Sequence, residues 1–469
     1  METAIQRRLR CISEHLKPPN TLLNPLRIRC SSDVENPVDG VHGACPVVIG
    51  GMVLDIHAKP SVSVNPGTTT PGQIRYVRGG VARNVAECMS KLGSRPFIIS
   101  VVGNDMAGDS MLEHWKSLGL SIEGIRRCSD IVTPIVSNIF DLGGELSAAV
   151  ADVEAVEKSL TPDWIWKFKH KISSAPVLMV DGNLGPLALE AACQGWPYVL
   201  SSRLYYRNRA LFAEGSNYWC SLDISIIWFL TSVAADSRTP VWFEPVSVAK
   251  SVRIGSIIKH VAYTSPNEDE LIAMANALCS DPGSSPIQGM SKKGSHKSID
   301  SMVCMLKPAI AWLLERGVDM VIVTLGSNGV LLCSREAPDF SRVTAHNARF
   351  SSFERELYDL VISNLVSNRQ FGNIKSVKSN HRSGVPYLFH FPALPASVVS
   401  LTGAGDCLVG GCLSSLCMGL NITSSIAIGI AVAKAAVESQ YNIPPGFSIC
   451  TVADDANRVF CAVKAVEAG

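Results

Sequence analysis

Net charge is almost absent from this chain, because 42 Lys and Arg residues balance 41 Asp and Glu residues and leave +1 over 469 residues. A protein that binds nucleic acid or an anionic membrane surface normally carries a clear basic excess. Uninterrupted apolar runs of roughly 18 residues, the length of a membrane-spanning helix, are missing too. We therefore expect neither nucleic acid nor a membrane among the partners.

Several catalytic signatures are also missing. The chain has no GxxxxGK[ST] phosphate loop, no GxSxG and no HExxH. The segment 403–408 begins like a GxGxxG dinucleotide motif, but Leu408 replaces its last glycine. The 15 cysteines are an odd number without a CxxC pair, which favours reduced intracellular thiols over a disulfide framework or a zinc site.

What the chain does have is an alternation of short apolar runs with helical periodicity, at a hydrophobic content of 47%. Continuous β-rich runs between helices indicate a mostly parallel sheet covered on both faces, an α/β fold. The predicted strands are 46–49, 97–102, 177–180, 241–243, 261–263 and 321–325. The predicted helices are 83–92, 111–118, 268–278, 302–316 and 423–440.

Three kinds of segment interrupt this alternation. Residues 61–78 and 131–150 have the pattern of antiparallel strands and predict a small β lid, with a hairpin at 141–145. Residues 195–233 contain 9 of the 31 aromatic residues and are far longer than a usual connection. We interpret 195–233 as an atypical insertion, either a substrate- or partner-binding segment or, as we favour, an unspecific appendage. The polar stretches 280–299 and 335–386 predict loops.

The N-terminal 44 residues read as a targeting segment and linker, followed by one catalytic domain at 45–469. Arg8-Leu9, five residues and His15-Leu16 match the type-2 peroxisomal targeting pattern, which an import receptor reads. A basic, amphipathic segment is also typical of mitochondrial and plastid transit peptides. We therefore expect a peroxisomal protein, with mitochondrion or plastid as the alternative and the cytosol if the signal is not used.

The run Thr402-Gly403-Ala404-Gly405-Asp406 is the most informative feature, because a segment with helical spacing follows it. Small residues let the backbone approach an anion, and the free N–H groups of a helix start point at it. An aspartate beside that cradle can take a proton while negative charge develops. This layout suits phosphoryl transfer to a hydroxyl, although a turn capped by Asp406 without chemistry is the alternative.

Weaker motifs follow other predicted strands. Gly79 and Gly80 precede Asn84, which can bind a sugar hydroxyl pair or cap a helix. Asp55 can bind two hydroxyls or be a loop residue. Asn267 and Glu270 open a helix, where carboxylates either complement the helix dipole or reach magnesium through water. The segment 324–329, Thr-Leu-Gly-Ser-Asn-Gly, can hold a nucleotide with backbone groups or form an ordinary turn.

As an ordered set these motifs resemble the PfkB, or ribokinase-like, family of carbohydrate and nucleoside kinases. The resemblance covers about 45–465 except 195–233, and its parts are GG…D (50–55), GGVARN (79–84), GNDMAG (103–108), NxxE (267–270), TLGSNG (324–329) and LTGAGDCLVGG (401–411). The family usually has an acidic residue two positions before the threonine of the last motif, where this chain has Ser400. The resemblance implies a three-layer sandwich with a mostly parallel central sheet and a β lid.

The resemblance also implies roles for individual residues. Asp406 is the expected base, and the amides of Gly403, Ala404 and Gly405 stabilise the transferred phosphoryl group. Asp55, Gly79, Gly80 and Asn84 are expected to hold the sugar. Asn267, Thr324, Gly326 and Gly329 are expected to serve the nucleotide, and Glu270 the magnesium ion. Lys250 is either a contact to substrate or phosphate or a solvated surface lysine.

Within the family, three stretches resemble pseudouridine kinases: 71–74, 144–152 and 242–250. This implies ATP-dependent phosphorylation of the 5′-hydroxyl of pseudouridine, with ATP and Mg²⁺, and a monovalent cation such as K⁺, as cofactors. A homodimer is a further implication of the family. The alternatives are another kinase of the family, for ribose or adenosine, and a catalytically disabled binding protein.

Overall fold

The computed structural model describes residues 44–65, 67–143, 146–194, 239–279, 287, 298–338, 352–367 and 385–466. These residues belong to one compact unit that begins at Gly43. The predicted targeting segment lies outside the described residues except for its last residue, 44, and the 195–233 insertion lies outside them entirely. None of the described helices is long and apolar enough to cross a membrane.

The described strands fall into two separate sheets. In chain order they are β1 (Val47–Ile49), β2 (Val53–Pro60), β3 (Gly72–Gly79), β4 (Phe97–Gly103), β5 (Ile125–Cys128), β6 (Ile135–Phe140), β7 (Leu146–Asp152), β8 (Leu178–Asp181), β9 (Val241–Glu244), β10 (Val261–Thr264), β11 (Met320–Thr324), β12 (Val330–Ser334), β13 (Tyr387–Phe391) and β14 (Lys464–Ala465).

Helices connect most of these strands. They are α1 (Val81–Lys91), α2 (Met106–Ser117), α3 (Glu154–Ser159), α4 (Pro162–Trp166), α5 (Lys169–Ser174), α6 (Pro186–Gln194), α7 (Val248–Ser251), α8 (Glu268–Leu278), α9 (Ile299–Glu315), α10 (Ser352–Ser367), α11 (Ala404–Cys417), α12 (Ile422–Val437) and α13 (Ile449–Cys461). Three short 3₁₀ turns are Val252–Ser256, Ile258–His260 and Gly326–Asn328.

The central sheet has ten of the described strands in the order β14-β13-β12-β11-β10-β9-β8-β1-β4-β5. The seven strands from β11 to β5 in this order pair in parallel. The pairs β11/β12, β12/β13 and β13/β14 are antiparallel. Because β1 lies between β4 and β8, the chain reverses its direction of winding beside β1. In open α/β sheets ligands bind outside the carboxyl ends of the strands at such a point.

Both faces of this sheet are buried, which explains the continuous apolar runs of its strands. Val48 packs into one hydrophobic cluster with residues of α1, α11 and α12, whereas Val47 and Ile49 pack into a second cluster with residues of α6, α8 and α9. The arrangement is the predicted three-layer sandwich, with helices on both sides of a mostly parallel sheet.

The second sheet is the predicted β lid, in the order β3-β2-β6-β7. The hairpin predicted at 141–145 is confirmed, because β6 and β7 pair antiparallel with Phe140 opposite Leu146. The predicted bounds were partly wrong: the lid begins with β2 at Val53, and the described residues between 61 and 71 contain no strand. The reason is that β2 carries Asp55, His57 and Lys59 and therefore lacks the apolar run of a core strand.

One predicted loop was also partly wrong. Helix α10, Ser352–Ser367, lies inside the stretch 335–386 that the sequence favoured as a loop. Leu357 and Val361 of this helix are buried against the first cluster, so tertiary packing of a few apolar residues stabilises it. The predicted loop at 280–299 lies mostly outside the described residues.

Candidate active site

The start of α11 carries the Gly-Ala-Gly-Asp run. Gly403 caps this helix with a left-handed backbone, φ 83°, and a Cβ there would lie 2.2 Å from the carbonyl oxygen of Asn442. Only glycine fits this position. At Gly405 an added Cβ would meet no other atom within 4 Å. The first turn therefore opens onto free space at Gly405, and the N–H groups of a helix start suit an anion. The Ala404 N–H donates a long hydrogen bond of 3.4 Å to Leu401 O.

Asp406 lies in that first turn and is half-buried. Its Oδ2 accepts a hydrogen bond of 2.6 Å from the side-chain amide of Asn84. Burial raises the pKa of Asp406 to about 6, whereas the Asn84 amide and the charge of Arg83 hold it down. The negative charges of Asp181 and Asp55 add to the increase. A carboxylate with this pKa is ionised at neutral pH and can still accept a proton readily, as a general base must.

Asn84 reaches Asp406 because of the glycine pair before α1. Gly80 has φ 93°, and a Cβ on it would lie 2.4 Å from the carbonyl oxygen of Gly51. The close approach places the start of α1 against the loop after β1, and the Arg83 N–H donates to Gly51 O at 3.2 Å. Asn84 is buried and lies on the first turn of α1.

Asp55 lies on lid strand β2, not in the loop after β1 that the sequence suggested. Its carboxylate packs against Gly79, where an added Cβ would lie 2.1 Å from Oδ2. The Asn442 side chain donates to the same Oδ2 at 3.3 Å. Burial raises the pKa of Asp55 to about 6, with the Asn442 bond and the charge of Arg83 opposing it. The lid thus contributes a carboxylate close to Asn84 and Asp406.

Asp181 is the last residue of β8, and its carboxylate connects two segments of the site. Its Oδ2 accepts from the N–H groups of Gly51 at 2.9 Å and Ala82 at 3.3 Å, and Oδ1 accepts from Asn183 N–H at 2.9 Å. The side chain is fully buried, and burial raises its pKa. Asp181 therefore joins the loop after β1 to the start of α1.

Glu244, at the end of β9, completes a group of carboxylates at this edge of the sheet. Ser265 donates to Glu244 Oε2, and the indole N–H of Trp242 donates to Ser265 Oγ at 2.7 Å. Burial raises the pKa of Glu244 well above its ordinary value, and the charges of Glu270, Asp406 and Asp181 raise it further. Mutual repulsion between these groups creates an environment that suits a cation.

Asn267 and Glu270 form a reciprocal cap at the start of α8. Asn267 Oδ1 accepts from Glu270 N–H, and Glu270 Oε2 accepts from Asn267 N–H, both at 2.9 Å. One oxygen of Glu270 is thus engaged in the cap, and Oε1 remains. Among the described residues no group of three or more His, Cys, Asp or Glu side chains is arranged to hold a metal ion directly. The residues fit a magnesium ion held through water, the form that Mg²⁺ commonly takes.

The loop between β11 and β12 is the predicted nucleotide segment. Thr324 pairs with Asn267 in an isolated parallel bridge, which joins this loop to the start of α8. Gly326 has φ 54° and open space at its Cβ position, whereas Gly329 has φ 94° and a Cβ there would lie 2.1 Å from Phe391 O. Gly329 is therefore required by packing, and Gly326 leaves the loop open to a ligand.

Three further residues within or next to the sequence motifs have defined contacts in the structure. Lys250 is not a solvated surface lysine: it is half-buried and donates to Asn183 Oδ1 at 2.6 Å. Asp105 is the N-cap of α2 and accepts from Gly108 N–H, which makes it a structural residue. The Ser400 hydroxyl accepts from Thr402 N–H at 3.3 Å, a bond within its own turn.

The chain is similar to known kinases. The model of the pfkB family of carbohydrate kinases matches residues 46–193 and 386–446. A pseudouridine kinase of Arabidopsis thaliana is 46% identical over 89% of this chain and 97% of that protein. The chain belongs to the PfkB carbohydrate kinase family. The match leaves out 194–385, so the segment 195–233 is no part of it.

One more distant relative and one solved structure match nearly the same length of the chain. A pseudouridine kinase of Escherichia coli is 20% identical over 88% of this chain and 97% of its own. The Arabidopsis thaliana ribokinase, solved with ribose and ATP, has the same fold with a TM-score of 0.55 and 15% identity, over 88% of this chain and 99% of that one. The kinase described here thus has the complete ribokinase-like fold.

Proposed function

We propose that this kinase transfers the γ-phosphoryl group of ATP to the 5′-hydroxyl of pseudouridine and releases ADP. The observation that carries the proposal is the 46% identity over nearly the whole length of the Arabidopsis pseudouridine kinase. The site supports it, because a left-handed glycine cap, an open helix start and a carboxylate with a pKa near 6 occur together at Gly403–Asp406.

In this mechanism Asp406 accepts the proton of the attacking hydroxyl while the N–H groups of Gly403, Ala404 and Gly405 bind the equatorial oxygens of the phosphoryl group. The Asn84 amide donates to Asp406 Oδ2 at 2.6 Å and so orients this carboxylate. Its proton is released again after ADP has left. The remaining residues bind and orient the two substrates.

The sugar binds between the lid and α1. Asp55 accepts hydrogen bonds from two ribose hydroxyls, and Asn84 binds beside it. Gly79 and Gly80 let the chain pass close to Asp55 and to the loop after β1, because a Cβ at either position would meet those atoms. This packing holds Asp55 and Asn84 beside the proposed ribose site. The β lid encloses the nucleobase of the substrate. It thereby excludes water from the site and limits ATP hydrolysis.

The nucleotide binds over the loop at Thr324, Gly326 and Gly329, with Asn267 beside it. Glu270 would hold Mg²⁺ through water with the carboxylate oxygen that lies outside the helix cap, and the ion would supply neutralisation of charge on the phosphates.

The decisive experiment measures ADP release with Mg-ATP and, separately, pseudouridine, uridine, adenosine and ribose. Pseudouridine and uridine have the same mass and differ in the atom that joins base to sugar, so they are the matched pair. Release with pseudouridine and little with uridine is the expected result, with the 5′-phosphate identified by mass spectrometry and NMR. Release with ribose or adenosine alone would assign another kinase activity, and release with none would favour a binding protein.

The 195–233 segment enters the same experiment. A variant that lacks residues 195–233 still retains 234–240 as a connection to β9, a length typical of such folds. Equal rates for both forms would identify the segment as dispensable. Activity in the shortened form alone would mean that the full chain is a disabled form.

The N-terminal pattern Arg8-Leu9 and His15-Leu16 supports a peroxisomal location for this activity. A fluorescent fusion of the whole chain is expected to colocalise with a peroxisomal marker, and a variant with Arg8→Ala and His15→Ala is expected not to. Import of both forms into mitochondria or plastids would instead assign a transit peptide.

A further inference from the structure

Arg83 is a buried guanidinium at the centre of the site, with an exposed fraction of 3%. Its Nη1 donates to the Glu87 carboxylate, and its Nε donates to Gly79 O at 3.1 Å. Its Nη2 donates to Arg78 O at 2.6 Å and to Asn84 Oδ1. A buried cation must be paired and hydrogen-bonded, and Arg83 meets this requirement with four different acceptors.

Glu87 forms a buried ion pair with the guanidinium of Arg83. It lies one turn further along α1 and also accepts from Lys91 Nζ at 2.7 Å and His114 Nε2 at 3.0 Å. Burial alone would raise the pKa of Glu87, but the His114 bond and the charges of Arg83 and Lys91 more than offset this effect and lower the pKa. Glu87 is therefore ionised throughout the working pH range and provides a fixed anchor for Arg83.

This anchor decides how the Asn84 amide is oriented. A guanidinium only donates hydrogen bonds and an ionised carboxylate only accepts them. Between Arg83 and Asp406, the amide must therefore turn Oδ1 to the guanidinium and Nδ2 to the carboxylate, as observed. The reverse orientation would place donor against donor and acceptor against acceptor. Without Arg83 the carboxylate of Asp406 alone selects the orientation of the amide, and the Asn84 side chain loses the partner that holds Oδ1 in place.

The same guanidinium connects this orientation to the lid. Its two backbone acceptors, Arg78 and Gly79, end lid strand β3 where the chain returns to α1. Asn442 donates to both Arg78 O and Asp55 Oδ2 at 3.3 Å. Arg83 thus contacts the root of the lid and, through Asn84, the general base.

Resting on the function proposed above, we propose that Arg83, anchored by Glu87, is a positioning residue that fixes the Asn84 amide toward Asp406 and joins the root of the lid to the catalytic base. Neither residue contacts the reacting atoms. The charged groups that face Asp406 are Arg83 from α1, Asp55 from β2, Asp181 from β8 and Glu244 from β9. Arg83 is the only cation among these four.

The test compares four variants with the wild type in steady-state kinetics across pH. Arg83→Lys keeps the charge but not the planar fork, and we expect kcat to fall about 10- to 100-fold with the KM for ATP unchanged. Arg83→Met is expected to show the same loss of kcat. The acid limb of its pH–rate profile is expected to move to higher pH by about one unit, because a cation near Asp406 is removed. Glu87→Gln is nearly isosteric and tests the anchor if the Arg83 variants do not fold. Lys91→Met is the control, since it removes an ion pair to Glu87 without touching Asn84.

Thermal unfolding shows which variants are folded before their rates are compared. Wild-type rates in both Arg83→Lys and Glu87→Gln, or an equal loss in Lys91→Met, would overturn the proposal. A readout that needs no activity is the titration of Asp406 by carboxyl ¹³C NMR, assigned with Asp406→Asn. Its pKa should rise in Arg83→Met and stay unchanged in Lys91→Met even if pseudouridine is not the substrate, so a failed substrate assignment and a failed positioning role are distinguishable.

Discussion

Replacing Asp406 by Asn is expected to remove catalysis and at the same time stabilise the fold. The pKa of Asp406 rises from its ordinary 3.8 to about 6 in the folded protein, with burial as the largest cause. One pKa unit corresponds to about 1.4 kcal/mol, so the ionised form lowers the free energy of unfolding by at most about 3 kcal/mol. An amide does not ionise and can keep the hydrogen bond to Asn84 by turning its oxygen to it.

The sign of the pH dependence follows from the same shift. Below pH 3.8 the carboxyl is protonated in both the folded and the unfolded state, and it has no effect on stability. Between pH 3.8 and about 6 the unfolded state releases the proton first, so the penalty grows, and above about 6 it is complete. The gain from Asp406→Asn should therefore be about 3 kcal/mol at pH 7.5 and only about 1.6 kcal/mol at pH 5.

Two measurements check this prediction. Differential scanning calorimetry of the ligand-free protein should show a higher Tm for the variant at pH 7.5, by roughly 2–3 °C for a domain of this size, and a smaller difference at pH 5. Steady-state kinetics should show a kcat about 10²- to 10⁴-fold lower, the contribution typical of a general base. Asp454→Asn is the control, because it makes the same change at an exposed position of α13.

A kcat within a few-fold of the wild type would refute the role of Asp406 as the base. A Tm equal to or below that of the wild type at pH 7.5 would refute the electrostatic argument, even if the activity were lost. The two results are independent, because the loss of activity depends on proton transfer and the gain in stability depends on burial of a charge.

Three other substitutions test the surrounding site. Gly403→Ala should lower the free energy of unfolding by about 2 kcal/mol or more in denaturant titrations, because φ is 83° and the new Cβ would lie 2.2 Å from Asn442 O. Asp55→Asn should raise the KM for pseudouridine about 10- to 100-fold and leave the KM for ATP unchanged, since it weakens charged hydrogen bonds to the sugar. Val246→Gly should stabilise the chain by about 1 kcal/mol in thermal unfolding, because Val246 has a φ of 70° that a β-branched residue adopts only under strain; an unchanged or lower Tm would contradict this.

The core of the fold could be predicted because its determinants are local. Strands buried on both faces give continuous apolar runs. The predicted strand 241–243 therefore differs from Val241–Glu244 by one residue at its end, and the predicted 321–325 is shifted by one residue from Met320–Thr324. Helix α8 was predicted at its observed bounds, Glu268–Leu278, because the Asn267–Glu270 cap marks its beginning in the sequence. Gly80 and Gly403 likewise mark the beginnings of α1 and α11 in the sequence, because each adopts a positive φ that favours glycine.

The lid strand and the buried ion network could not be predicted in the same way. Strand β2 has most of its residues half-buried or exposed, and its polar residues face ligand or solvent, so no apolar run marks it. Arg83 and Glu87 were part of a recognised motif and its helix but had no assigned role. The signal that could have revealed them is the spacing of Arg83, Glu87 and Lys91, which places opposite charges one turn apart on one face of the helix.

The carboxylates at the ends of β8 and β9, in β2 and in α11 are individually unfavourable. Asp55 and Asp406 both have a pKa raised to about 6, and the pKa values of Asp181 and Glu244 are raised as well, in each case chiefly by burial. A fold selected for stability alone would not collect four acids with raised pKa values at one edge of the sheet. Strongly perturbed acids in a cleft are typical of a catalytic site. Because three backbone N–H groups occupy the carboxylate of Asp181 whereas Asp406 accepts from one side-chain amide at the open start of α11, we infer that the first serves architecture and the second serves proton transfer.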